Sequence, residues 1–192
     1  MRRLRESSLS PGFAGGVLRI MSDIPDIATR RLRLTALTDR HFDCYAAMLA
    51  NPACTRWVGD GRPLDRMNAW RSMAMLLGHW HLRGFGMWAV EHLEDGHFIG
   101  RVGLMYPEGW PDVALGWMLN PDDRHHGYAT EAAAASLKFA WHHCRLQRVI
   151  SLVRHGNEDS CHVAERLGGK CIDERDFCGS PTYVYAYYAP NH

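Results

Sequence analysis

Nowhere in the 192 residues is there an apolar run of the ~18–20 residues that a helix needs to span a bilayer. An excess of one charge is missing too. The chain has 22 basic and 21 acidic residues, a net charge of +1, which gives no electrostatic pull toward nucleic acid or a membrane surface. Its six cysteines, Cys44, Cys54, Cys144, Cys161, Cys171 and Cys178, form no CxxC pair and follow no zinc-ligand spacing. They read as free thiols in a reducing cytoplasm. The twelve histidines contain no HExxH. His79 and His81 do not share a helix face, and His125-His126 and His142-His143 are adjacent and point apart, so no metal is expected. His142 and His143 read instead as surface cations at a helix C-terminus. Neither GxxxxGKS/T nor GxGxxG occurs, which excludes a P-loop and the dinucleotide fingerprint.

What the chain does have is 46% apolar residues, enough for one domain with a sizeable core and short for two. Residues 29–192 read as that domain, and residues 1–28 as an extension expected to be flexible. The extension carries basic residues from Arg2 to Arg5. Its apolar stretch is interrupted at Pro11, Gly12, Gly15 and Gly16, which does not suit a signal peptide. Met21 would serve as a start by itself.

Residues 31–36 alternate, with Leu32, Leu34 and Ala36 on one side, and predict a half-buried strand. Thr38 or Asp39 can cap a helix with Phe42, Tyr45, Ala46 and Leu49 on one face, stopped by Asn51-Pro52. A second helix is predicted over 65–83, with Met67, Trp70, Ala74 and Leu77 inward and Gly84 and Gly86 at its end. Strands follow at 87–92, 97–106 and 113–119, with turns at Asp95-Gly96 and across Pro107–Pro111. A helix over 127–144 presents a stripe of small residues, Ala132, Ala133, Ser136 and Ala140, suited to lie close on a sheet. A strand at 148–153, a short helix at 159–167 ending in Gly168-Gly169, and strands at 170–176 and 182–188 complete the order β-α-α-β-β-β-α-β-α-β-β. This is an α/β fold with a mixed seven-stranded sheet and helices on both faces.

Chemistry concentrates in residues 113–131, VALGWMLNPDDRHHGYATE. A buried strand ends at Leu119, a loop crosses Pro121 to His126, and Gly127 opens a long helix. The start of a helix has unpartnered N–H groups and a dipole that favours negative charge, so it suits phosphate. Gly127 lets the backbone approach a bulky ligand, and Thr130 can add a hydroxyl. On physics alone, an ordinary strand–loop–helix connection explains the segment equally well.

The run Arg124-His125-His126-Gly127-Tyr128-Ala129 resembles the R/Q-x-x-G-x-G/A pyrophosphate loop of the GNAT acetyltransferases. Gly116–Pro121 before it, Tyr128–Ala132 after it, and Asn157-Glu158-Asp159-Ser160 through Leu167-Gly168 resemble the RimJ/RimL-like branch, and Leu32–Leu34 and Phe98-Ile99-Gly100 also fit. The resemblance runs over about residues 29 to 189. It implies a mostly antiparallel sheet and direct transfer of an acetyl group from acetyl-CoA to a primary amine, either a protein N-terminus or a small amine. A homodimer is common in such proteins.

The resemblance also assigns roles. The strand bearing Trp117, Met118 and Leu119 would line the pantetheine arm, with an N–H near Met118 or Leu119 polarising the thioester carbonyl. Arg124, His125, His126, Gly127, Tyr128, Ala129 and Thr130 would hold the pyrophosphate. Asn157 and Ser160 would serve both the pantetheine and the reaction. Asp112 is the first candidate for the proton acceptor, ahead of Glu108, Glu91 and His81, against the plainer reading of a solvated turn acid. Trp88 and Trp117, on central strands, are candidates for the acceptor cleft, and Tyr106 joins Trp88 as a substrate-binding candidate. Glu131, in the first turn of the long helix, suits a structural role at the dipole. Two departures stand out. Gly169 replaces an aromatic in the L-G-F motif, which suggests looser packing behind the CoA arm. Ala164 occupies a position where many members carry a tyrosine that protonates the thiolate. That proton would then come from water, Ser160 or Cys161. The rival readings are a non-catalytic acyl-CoA-binding module of this fold and an unrelated phosphate- or nucleotide-binding α/β protein.

Overall fold

The computed structural model describes residues 24–190. The expectations for residues 1–20 therefore lie outside the described residues. Eight strands form one sheet: β1 (Ile27–Ala28), β2 (Leu32–Thr35), β3 (Met87–His92), β4 (Phe98–Met105), β5 (Ala114–Leu119), β6 (Arg148–Arg154), β7 (Lys170–Phe177) and β8 (Ser180–Tyr188). Their spatial order is β1-β2-β3-β4-β5-β6-β8-β7. Every pair is antiparallel except β5–β6.

The strand count exceeds the expected seven by one because β1 has only two residues, too few to show a periodicity. Polar contacts hold it in place. Asp26 accepts from Thr35 Oγ1 (2.6 Å) and Arg33, and the carbonyl of Pro25 accepts the indole N–H of Trp88 (2.8 Å). Residues 24–28, expected in a flexible extension, are thus part of the fold.

Five helices complete the chain: α1 (Phe42–Ala50), α2 (Pro52–Thr55), α3 (Arg66–Arg83), α4 (Tyr128–His142) and α5 (Glu158–Arg166). Asn51 ends α1 and at once caps α2, its side chain accepting from the N–H of Ala53. Asp65 caps α3 in the same way, and Gly84 closes it in the left-handed conformation at φ 74°. One face of the sheet packs on α4 through Ala132, Ala133 and Ala140. The other packs on α1, α2 and most of α3.

The inward face of α3 corrects the expectation. Ala69, Met73, Leu76 and Trp80 are buried, whereas Met67 and Trp70 are 57% and 59% exposed. Both stripes obey helical spacing, so periodicity alone does not choose between them. The choice is made by Trp80, whose indole N–H donates to the carbonyl of Met87 (2.9 Å) and whose ring meets Trp88 edge-on at 4.8 Å.

Candidate active site

β5 and β6 touch at one register position, Ala114 opposite Ile150. The N–H of Ile150 donates to the carbonyl of Val113 (2.9 Å). The hydroxyl of Ser151 donates to the carbonyl of Leu115 (2.8 Å) and itself accepts from Tyr187 Oη (3.2 Å). Beyond this latch the strands part. β5 follows β4 and β6 follows β8 along its whole length, so each keeps to its own half of the sheet. The gap opens into a cleft of about 660 Å³.

Strand geometry decides which groups of β5 face the gap. The carbonyls of Val113 and Leu115 point toward β6. A residue's N–H and C=O point the same way and alternate along a strand, so the backbone groups of Trp117 and Leu119 also face the gap. Those of Met118 face β4, where Met118 lies opposite Arg101. Of the two expected thioester contacts, the N–H of Leu119 is on the correct side and that of Met118 is not. The carbonyl of Leu119 is engaged by the guanidinium of Arg124.

The start of α4 borders the same cleft. Its N-cap, Gly127, has φ 79°, and no side chain caps the helix. The first intrahelical bond described there runs from the N–H of Glu131 to the carbonyl of Gly127 (3.0 Å). The N–H groups of Tyr128, Ala129 and Thr130 precede it at a bare positive dipole end. His125, Gly127, Tyr128, Ala129 and Thr130 line the cleft; His126 does not. The carbonyl of His126 accepts from Arg31 instead (2.9 Å). Arg124, expected at the pyrophosphate, acts as a brace, since it also donates to the carbonyl of Ala53 (2.9 Å). Five arginines line the cleft, Arg62, Arg101, Arg124, Arg154 and Arg166, against two carboxylates, Asp60 and Asp159. That balance suits an anionic ligand.

A second brace lies outside the cleft, centred on Glu131, for which a structural role was expected but not these partners. Glu131 accepts from Thr29 Oγ1 (2.7 Å), from the N–H of Arg31 (2.8 Å) and from Arg31 Nε (2.7 Å), while Arg31 lies over the ring of Tyr128 at 4.6 Å. Burial pushes the Glu131 carboxyl up, but these hydrogen bonds outweigh it and hold the group below the ordinary range. The basic cluster Arg30-Arg31 was the available signal. It became meaningful only once β2 was known to lie beside α4.

Across the gap, Asn157 caps α5, its side-chain oxygen facing the N–H of Ser160 at 3.4 Å. The indole of Trp117 reaches over from β5 and donates to Ser160 Oγ (3.2 Å), which leaves the hydroxyl's own proton available. Asn157, Ser160 and Trp117 all line the cleft. A Cβ on Gly169 would stand 2.7 Å from the ring of Tyr187 and 2.8 Å from the carbonyl of Ala164. Tyr187 fills the space expected to be loose, and Ala164 is wholly buried. No phenol fits at position 164 in this packing.

Several other expected residues lie elsewhere. Asp112 is bound to Arg148 (2.7 Å) and does not line the cleft. Trp88 is fully buried on the α4 side, edge-on to Phe139, and cannot wall an acceptor site. Tyr106 receives Arg83 over its ring and stays outside the cleft. Glu91 is buried and held by Arg40 (2.6 Å) and His41 (2.8 Å). Glu108 and His81 are exposed. For Trp88, address in the sequence misled because alternate strand residues face opposite sides of the sheet. Among the described residues no group of three or more His, Cys, Asp or Glu could hold a metal ion. Cys54 lines the cleft, but burial pushes its thiol up and Arg124 only partly offsets this, so it is a poor nucleophile.

The acetyltransferase (GNAT) domain family matches residues 31–170. An acetyltransferase from Agrobacterium tumefaciens superposes with a TM-score of 0.79 at 32% identity, covering 87% of this chain and 96% of that one. The uncharacterised protein YkkB of Bacillus subtilis is 25% identical over 150 residues, 74% of this chain and 83% of its own length. RimL, a ribosomal α-N-protein acetyltransferase solved in complex with coenzyme A, shares the fold at a TM-score of 0.72 and 16% identity, over 85% of this chain and 98% of that one.

Proposed function

The chain belongs to the GNAT acetyltransferase family, and from that premise we propose that it is an acetyl-CoA-dependent N-acetyltransferase acting by direct transfer to a primary amine. The observation that carries this reading is the meeting of two unpartnered backbone surfaces in one cleft, the bare start of α4 and the free side of β5. One suits a pyrophosphate and the other an amide-bearing chain, which is the make-up of the CoA arm.

The residues fit that co-substrate. Gly127 through Thr130 would hold its phosphates, with Arg154 and Arg166 adding charge. The backbone of Trp117 and the amide of Asn157 would pair with its pantetheine. Acetyl-CoA, when bound, supplies the activated acyl group. The N–H of Leu119 then points where negative charge develops on the acyl oxygen. Ser160, whose oxygen is occupied by Trp117, can donate its proton toward the sulfur, a role that Ala164 cannot fill.

Among the described residues the cleft lining holds two carboxylates, Asp60 and Asp159, to take a proton from the amine. Deprotonating a lysine-like amine at pH 7 costs about 4–5 kcal/mol, and a chain-terminal α-amino group about 1 kcal/mol. An α-amino group is therefore the easier acceptor, consistent with the RimJ/RimL-like motifs. The non-catalytic alternative keeps one observation in its favour, the buried Ala164.

The test is a pair of measurements. Thermal melts with acetyl-CoA at ~100 times its dissociation constant should gain about 2.7 kcal/mol, with no gain from ATP or NAD. Free thiol should then appear when amines are added. Stabilisation without thiol release from any amine favours the binding module; no stabilisation by any CoA species removes the reading.

A further inference from the structure

Among the described residues, Arg101 is the one buried cation of the cleft left without an anion. It stands on β4 opposite Met118, on the face covered by α1 and α3, with 9% of its surface exposed, and it lines the cleft. Its Nε is buried with no hydrogen-bond partner. Among the described residues its guanidinium makes no ion pair; its contact is with the ring of Tyr45, 5.9 Å from Cζ. Three other charges are already engaged. Glu91 belongs to Arg40 and His41, Arg124 to backbone carbonyls, and Arg154 donates to the carbonyl of Gly59. On the α1 and α3 side the cleft lining is mostly apolar, with Leu49, Leu64, Met75, Met87 and Met105 beside Ser72.

A guanidinium stays charged in proteins, and burying it unpaired is unfavourable. Its planar fork matches a carboxylate in a bidentate pair. Resting on the acetyl-transfer reading, we propose that Arg101 receives a carboxylate of the acceptor, so that the acceptor is a small amine carrying a carboxylate, an amino-acid-like compound with an apolar remainder. The carboxylate seats the molecule on β4, and its amine is left to face the acyl group beside β5.

The test uses the full chain, acetyl-CoA and a panel of α-, β- and γ-amino acids, leucine among them, each paired with its carboxamide. The carboxamide amine is the less basic of each pair and hence the more available at neutral pH. A preference for the acid therefore runs against intrinsic reactivity. We expect at least one acid to exceed its amide by about tenfold or more in kcat/KM, measured by thiol release. Arg101→Met should bring that ratio to one or below, and Arg101→Lys should leave it intermediate. The melting temperature of Arg101→Met should not fall, because an unpaired buried charge has been removed. Should that variant not fold, Arg101→Lys carries the test. Amides used as well as acids across the panel, or a ratio untouched by either variant, would overturn the proposal. Where no pair releases thiol, melts in the presence of CoA decide. Acids that stabilise the native chain but not Arg101→Met uphold the site while sinking the transfer reading. Equal shifts for acid and amide sink the site itself.

Discussion

At the start of α4 the cleft is walled by backbone, whereas between α1, α3 and β4 it is walled by side chains. The first wall consists of helix N–H groups, a glycine at φ 79° and the free side of β5. The second consists of leucines, methionines and Arg101. On the proposed function, backbone donors would recognise what every acyl-CoA has in common, whereas side chains would choose among acceptors and could change without disturbing the sheet. The two walls should therefore fail separately, and that separation can be tested.

The largest effect is expected at Gly127. Gly127→Val places a β-branched side chain at a left-handed φ and obstructs the helix start, so acetyl-CoA affinity should fall about 100-fold or more, ~2.7 kcal/mol, while the domain stays folded. Calorimetry giving normal affinity would break the contrast at its strongest point.

Next comes Glu131→Gln, which loosens the brace behind that helix start. A loss of about 1.5–3 kcal/mol in stability is expected at pH 7, from hydrogen bonds to a charged group. The folded-state carboxyl lies below its ordinary 4.5, so its contribution is full above that pH and lost as pH falls through the lowered value. The gap in melting temperature between native chain and variant should accordingly close in acid. A gap that does not narrow at any acid pH at which both chains still fold would assign the effect to packing.

Asn157→Ala tests the α5 side of the gap. Capping loss should cost about 1 kcal/mol of stability. The fall in kcat/KM for acetyl-CoA should be larger, about tenfold or more. An unchanged kcat/KM would reduce Asn157 to a cap. The smallest effect belongs to the outer stripe of α3. Met67→Ser should change stability by less than about 0.5 kcal/mol, against about 2–5 kcal/mol for Met73→Ala on the buried stripe. Similar losses at both would return the inward face to the one the periodicity suggested.

The same contrast explains what could be read from the sequence. The backbone wall was legible because its cues are local. Gly127 at a helix start, the strand ending at Leu119 and Asn157 before a short helix each announce their geometry within a few residues. The side-chain wall depends on which strand residues share a face and on which strands are neighbours. Asp112, Trp88 and Tyr106 had plausible addresses and faced elsewhere. Arg101, one strand away from the recognised motif, gave no signal until β4 was seen to pair with β5 through Arg101 and Met118. The braces Arg31–Glu131 and Ser151–Leu115 join residues 100 and 36 positions apart and were invisible for the same reason.

The single latch between β5 and β6 has a further consequence. An unpaired strand edge normally invites another polypeptide to add to it, the first step toward aggregation. Here the exposed edge lies in the middle of an eight-stranded sheet, with a half-sheet on either side. Another protein's sheet cannot be brought alongside it without forcing those halves apart. A slender molecule with amide groups of its own can enter, much as a single missing strand would. The parting of β5 and β6 thus keeps a sticky surface available to a thin ligand while withholding it from other chains.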